Sequence, residues 1–212
     1  MGQKRKESNK LNKSRFIVIG SLLVLFGIGL ITFDLLSDIS MDNLEDKAIT
    51  EFYKQKEIIQ ENTQDISETK KDENKSKESS KIEYIGVLSI PKINLKRGLV
   101  DPNSSLNDIQ YNVEFLNESS MPDELYGNVI LAAHSGNARI SYFKNLDELD
   151  VNDEVIIDYK NNNYTYSVVK KYEIEKNGKT NIIRNRAENT LTLITCKHNT
   201  NKQIVVVCEL SK

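Results

Sequence analysis

The chain has 212 residues, 38% hydrophobic and 28% charged, with 29 basic against 31 acidic residues for a formal charge of −2. That length suits one mid-sized domain with appendages, because domains usually run to roughly 100–200 residues. The near-neutral balance, the absence of Trp and the lack of a basic patch interleaved with aromatics beyond the extreme N-terminus exclude a nucleic-acid partner, which needs phosphate neutralisation and stacking platforms.

Residues 1–15 form a basic tail in which Lys4, Arg5, Lys6, Lys10, Lys13 and Arg15 stand against the single acid Glu7. Phe16 to Phe33, FIVIGSLLVLFGIGLITF, carries no charge, and Leu35 and Leu36 prolong the apolar stretch past Asp34. A run of about 18 apolar residues can span a bilayer, and the basic flank keeps the N-terminus cytoplasmic. A cleaved signal peptide would show a small-residue site after the run, but Asp34-Leu35-Leu36-Ser37-Asp38 stands there. Residues 16–36 are therefore expected to be an uncleaved single-pass transmembrane anchor, with everything beyond it extracytoplasmic. A buried core helix is the poorer reading, since its all-round apolar surface would need covering elements that the next stretch does not supply.

Residues 37–83 read as a stalk and linker. Leu44, Ala48, Phe52 and Ile59 recur at near-helical spacing within Met41 to Gln64, with Asp42 or Asn43 available as a cap, which predicts a short amphipathic helix. The following DISETKKDENKSKESSK has too little apolar surface to offset its ordering entropy and is expected to be a solvated tether.

From Tyr84 to Lys212 the texture changes to short Val-, Ile- and Tyr-rich runs punctuated by Asn, Asp, Gly and Pro, the pattern of a mainly β domain. Strands are expected at Gly86–Ile90, Leu95–Val100, Asn128–Ala133, Glu154–Asp158, Tyr164–Ile174, Thr190–Cys196 and Gln203–Leu210. Ser104 or Ser105 can cap a helical turn toward Gln110, and Ile140–Leu149 has the apolar spacing of a short helix. Lys160-Asn161-Asn162-Asn163 reads as a hairpin connection, and Asn177-Gly178 as a tight turn.

Two cysteines and two histidines are all the chain offers for thiol and imidazole chemistry. Cys196 ends the strand Thr192-Leu193-Ile194-Thr195-Cys196, and His134 ends the strand Gly127-Asn128-Val129-Ile130-Leu131-Ala132-Ala133-His134. A cysteine becomes a useful nucleophile near neutral pH when a neighbour draws its thiol below the ordinary value of about 8.5, and imidazole is the usual partner. Cys196 and His134 are thus the candidate nucleophile and acid/base.

TLITC resembles the TLxTC signature of sortases, and GNVILAAH resembles the strand that carries their catalytic histidine, in the same chain order and with an anchor upstream. The resemblance covers Tyr84 to Leu210 and the anchor. It implies an eight-stranded β-barrel with short helices, no metal or other cofactor, and a two-step transpeptidation. In it Cys196 attacks an LPxTG-like sorting signal of a secreted surface protein to form a thioester, and a cell-wall precursor or pilin amine resolves it. His134 would serve as acid and then base, with Thr195, Ala133 and Arg139 against the substrate. The family usually places an arginine at the start of the last strand, where this chain has Gln203. Gln203 acting alone is the favoured replacement, with Lys202 and Arg139 as the other two. Ala133, where many members have glycine, is a second, smaller departure.

The stretch EKNGKTNIIRNRAEN leaves no room for a long inserted helix, which favours a compact A- or D-like class over class B. Pilin-polymerising members often carry an Asp-Pro-aromatic lid, and Asp101-Pro102 followed by Asn103 does not supply one. The rival of a different kind is a sortase-fold protein with weak or no catalysis that binds sorting signals. Among the remaining residues, Cys208 reads as core. It is expected to pair near Leu191, too far from Cys196 for a disulfide. His198 makes only a C-x-H pattern with Cys196, which is poor for zinc. The acidic run Asp147, Glu148, Asp150, Asp153 and Glu154 lacks the ligand spacing of calcium loops and reads as a solvated face.

Overall fold

The computed structural model describes residue 16 and residues 18–33, 45–56, 82–177 and 181–211. The chain divides into two compact units between Leu44 and Glu45. In the first, residues 18–33 are helical, and Leu22, Leu25, Phe26, Ile28 and Phe33 are exposed around the helix. Among the described residues no helix is long and apolar enough to cross a membrane. The transmembrane helix expected over 16–36 takes in residues 17 and 34–36, which lie outside the described residues, and it is not shown.

The second unit contains eight strands: β1 (Gly86–Ile90), β2 (Leu95–Leu99), β3 (Glu114–Phe115), β4 (Asn128–Ala132), β5 (Glu154–Tyr159), β6 (Asn162–Glu175), β7 (Thr190–Cys196) and β8 (Lys202–Leu210). They join in the order β2-β1-β5-β6-β8-β7-β4-β3 and curl into a nearly closed barrel. Near the seam between the β2 and β3 edges, Asn112 Nδ2 donates to the Gly98 carbonyl at 3.2 Å. The interior is filled by alternate residues of the strands, among them Leu88, Leu99, Phe115, Leu131, Ile157, Tyr166, Leu193 and Val206.

The sequence pattern explains this arrangement. In β5 the apolar residues Val155, Ile157 and Tyr159 alternate inward. In β4 and β7 the runs NVILA and TLTLIT are buried at every position, the signature of strands covered on both faces. All pairings are antiparallel except that of β4 with β7, which is parallel from Asn128↔Thr190 to Ala132↔Ile194. The β5–β6 connection is tighter than its four residues suggested: Asn162 and Asn163 already pair with Tyr159 and Asp158, and Lys160 takes a φ of 51°. Gly178 lies outside the described residues, so the turn expected there is not seen.

Three expectations are corrected. The strand Glu114–Phe115 was missed because two residues show no alternation. The helical turn after Ser104 is a series of turns, with the Ser104 hydroxyl accepting from Leu106 N–H at 3.2 Å. Over Ile140–Leu149 only Leu146–Glu148 is helical, and as a 3-10 turn. Phe143, Leu146 and Leu149, spaced by three, are all fully buried, which matches the three-residue repeat of that helix rather than an α-helix.

The amphipathic helix expected within Met41 to Gln64 is present over residues 45–56 and packs on the barrel. Ile49 is buried, Tyr53 Oη donates to Asp158 Oδ2 at 2.6 Å, and Lys56 Nζ stands 3.5 Å from Asp158 Oδ1. At its start the Glu45 carboxylate meets the Arg97 guanidinium and accepts from Gly98 N–H at 3.4 Å. Burial and the bond to Asp158 push the Tyr53 hydroxyl pKa well above its ordinary value. Leu44 and Ile59 lie outside the described residues.

One buried polar cluster locks the parallel pair. Asn128 Oδ1 accepts from Thr190 Oγ1 at 2.9 Å and from Thr192 Oγ1 at 3.0 Å. A buried group stripped of its partner costs about 1–3 kcal/mol. Asn128→Ala is therefore expected to lower unfolding free energy in urea by about that amount. Thr192→Val should cost less in the Asn128→Ala background than alone, and equal costs in both backgrounds would show that the cluster does not couple the strands.

Candidate active site

The parallel pairing of β4 and β7 continues past the end of β4. Ala133 N–H donates to the Ile194 carbonyl at 3.3 Å, Thr195 Oγ1 donates to the Ala133 carbonyl at 2.7 Å, and the Ser135 hydroxyl donates to the Cys196 carbonyl. Extending the register by these contacts brings His134 level with Cys196. On the other side of β7, Cys196 pairs with Gln203 of β8. His134, Cys196 and Gln203 thus form one row across three neighbouring chain segments.

The three also share a face. Leu191, Leu193, Ile204, Val206, Cys208, Val129, Leu131 and Ala133 all belong to the barrel core. By strand alternation Cys196, His134 and Gln203 lie on the opposite face, at the end of a floor made by Ala132, Ile194 and Val205. All three site residues are half-buried, which leaves a nucleophile accessible while limiting the water around it.

Thr195 and Ala133 are 3% and 1% exposed, and their mutual hydrogen bond ties the two strand ends together. Arg139 is exposed in the turn that follows His134. Lys202 alternates away from Gln203, and its Nζ stands 3.3 Å from Glu173 Oε2, while Lys197 also pairs with Glu173. These two ammonium groups hold the Glu173 carboxyl below its usual range. Of the residues weighed as replacements for the arginine, Gln203 is the one in the row.

Cys208 is fully buried and pairs with Leu191, as expected from its register, and both cysteines are free thiols. Burial pushes the Cys208 thiol far above its ordinary pKa, so it is inert where Cys196 is accessible. His198 sits exposed in the turn after β7. Within the acidic run a lysine stands against the carbonyls: Lys171 Nζ donates to the Asp147 and Leu149 carbonyls at 2.7 and 2.6 Å and stands 3.6 Å from Asp150 Oδ1. The sequence reading passed over Asn128 and Ser135 as site-forming residues. Their only signals were a polar residue opening an apolar strand and a hydroxyl directly after the histidine.

The folded unit matches known proteins. The Sortase domain family model matches residues 88–211. The chain is 29% identical over 148 residues to Sortase D of Bacillus subtilis (strain 168), covering 68% of this chain and 72% of that protein. A Clostridium perfringens Sortase D5 transpeptidase superposes with a TM-score of 0.57 at 21% identity, covering 80% of this chain and 99% of that one. Sortase C1 from Streptococcus agalactiae superposes with a TM-score of 0.53 at 26% identity, covering 61% of this chain and 68% of that one. With its barrel, its strand-end cysteine and histidine, and this match over most of the folded unit, the chain belongs to the sortase family of cysteine transpeptidases.

Proposed function

We propose that this transpeptidase cleaves an LPxTG-like sorting signal through a thioester on Cys196 and passes the surface protein to a cell-wall or pilin amine. The row of His134, Cys196 and Gln203 carries the reading. Cys196 passes its thiol proton to His134 as Sγ bonds to the scissile carbonyl carbon, the carbonyl oxygen takes the negative charge, and the C–N bond breaks as His134 gives that proton to the departing amine and the carbonyl re-forms. The incoming amine then attacks the thioester and gives its proton to His134. The new amide forms as the C–S bond breaks, and the proton held by His134 returns to the Cys196 sulfur. Acid and base are the same imidazole in turn, so no metal step is required.

Gln203 is the oxyanion donor in this scheme. Its amide supplies a neutral hydrogen bond where the family usually has a charged one, and charge-assisted bonds are roughly twice as strong. Lys202 is engaged by Glu173, which supports Gln203 over it. That missing charge is also what motivates the second reading, a protein that holds sorting signals with little turnover. The relative named Sortase D supports a compact D-like class, and Asp101-Pro102 is followed not by the aromatic of a lid but by Asn103, whose N–H donates to Asp101 Oδ1 at 2.8 Å in an exposed turn. The uncharged run from Phe16 to Phe33 and its basic flank support a single-pass anchor, with the N-terminus cytoplasmic and the barrel outside the membrane.

With LPxTG-like peptides, intact-mass analysis should find an acyl-enzyme that Cys196→Ala abolishes. Gln203→Ala should lower kcat/KM by roughly 10–100-fold, and Gln203→Arg should raise it above that of the natural protein. A folded protein whose Cys196 alkylates readily but never acylates would favour the binding role. For the anchor, the full chain should remain with the membrane after carbonate washing, and protease added outside protoplasts should remove residues 84–212. Release by carbonate would refute the anchor.

A further inference from the structure

We infer that Ser135 is a positioning residue for the reaction, setting the approach of His134 to Cys196; the inference rests on the proposed roles of those two residues. A parallel ladder that ran on past Ala132 would bond Ser135 N–H to the Cys196 carbonyl and Cys196 N–H to the Ala133 carbonyl. Two side-chain hydroxyls stand on these acceptors instead. Ser135 Oγ donates to the Cys196 carbonyl, and Thr195 Oγ1 donates to the Ala133 carbonyl at 2.7 Å.

The geometry of β8 explains why the Cys196 carbonyl is available. Lys197 N–H donates to the Lys202 carbonyl at 2.8 Å, so the next pair, Cys196 with Gln203, is a non-hydrogen-bonded one. The amide and carbonyl of Cys196 therefore turn toward β4, and among the described residues the Ser135 hydroxyl is the donor that meets the carbonyl. Without it, the last peptide of β7 would be held only from the β8 side.

His134 lies between the two bridges, with Ala133 bound to Thr195 on one flank and Ser135 bound to Cys196 on the other. Its own carbonyl accepts from Phe143 N–H at 3.0 Å, which fixes the third direction. The backbone that carries the imidazole is thereby tied to the very strand that carries the thiol, so any shift of the loop changes the gap between the two groups. A reacting geometry displaced by about 1 Å can cost roughly a hundredfold in rate. Serine suits the position because its hydroxyl reaches a carbonyl across the strand gap. Threonine keeps that hydroxyl and alanine removes it.

The test compares Ser135→Ala and Ser135→Thr with the unaltered chain. With an LPxTG-like peptide, Ser135→Ala is expected to lower kcat by roughly 10–100-fold while KM stays within about twofold, and Ser135→Thr to recover most of the loss. Independently of any peptide, the pH profile of Cys196 alkylation by iodoacetamide should move in Ser135→Ala and return in Ser135→Thr, with thermal unfolding unchanged. An alkylation profile and kcat in Ser135→Ala that match the natural protein would overturn the inference. Equal losses in both variants, tracking a lowered melting temperature, would also overturn it by showing a purely structural role. Acylation that persists in Cys196→Ala would instead refute the proposed nucleophile, so the two failures are distinguishable.

Discussion

The parallel pairing of β4 with β7 is the constraint on which the site depends. An antiparallel pair would put the end of one strand beside the start of the other. Two parallel strands end on the same rim of the barrel, and a residue just past each C-terminal end can then face its counterpart across one strand spacing. By this register His134 and Cys196 stand level with each other although they lie 62 positions apart in sequence. The chain between them forms β5 and β6, so their contact closes a long loop. Such long-range closure carries an entropic cost that local contacts do not repay. The pair offsets it by burying both faces of both strands.

Polar groups fix the register at each end of this pair, where burial alone leaves it free to slip. At the far end Asn128 gathers Thr190 and Thr192, and at the end that carries Cys196, Thr195 and Ser135 close onto Ala133 and Cys196. A one-residue slip would exchange the faces, turning Cys196 into the core and Thr195 toward solvent. Across the other edge of β7, β8 supplies Gln203 by the same logic of register, while Lys202 and Lys197 are drawn away to Glu173. The helix at residues 45–56 adds a separate brace, reaching β5 through Asp158 and β2 through Arg97.

Much of this was legible in the sequence because the strands obey simple periodicities. The alternation in β5 and the continuous apolar runs of β4, β7 and β8 gave their positions to within a residue or two, and the register of Cys208 with Leu191 followed from the length of the turn between β7 and β8. The two-residue strand β3 carries too little pattern to detect, and the 3-10 turn at Leu146–Glu148 shares apolar spacing with an α-helix over so short a run. At the site, Cys196 and His134 stood out because their residue types are scarce. Ser135 and Asn128 did not, because serine and asparagine are common in turns, and their roles arise only from which distant carbonyl or hydroxyl they meet. The docking of helix 45–56 was hidden for the same reason: its partners Arg97 and Asp158 lie far along the chain.

The proposed chemistry depends on the row of three residues. The most direct measurement is a crystal structure of the protein with a sorting-signal peptide covalently attached to Cys196. The thioester carbonyl oxygen should lie within hydrogen-bond distance of Gln203 Nε2, with the His134 imidazole on the opposite side, facing the position of the departing amine. A carbonyl turned away from Gln203, or an imidazole out of reach of the scissile bond, would contradict the account.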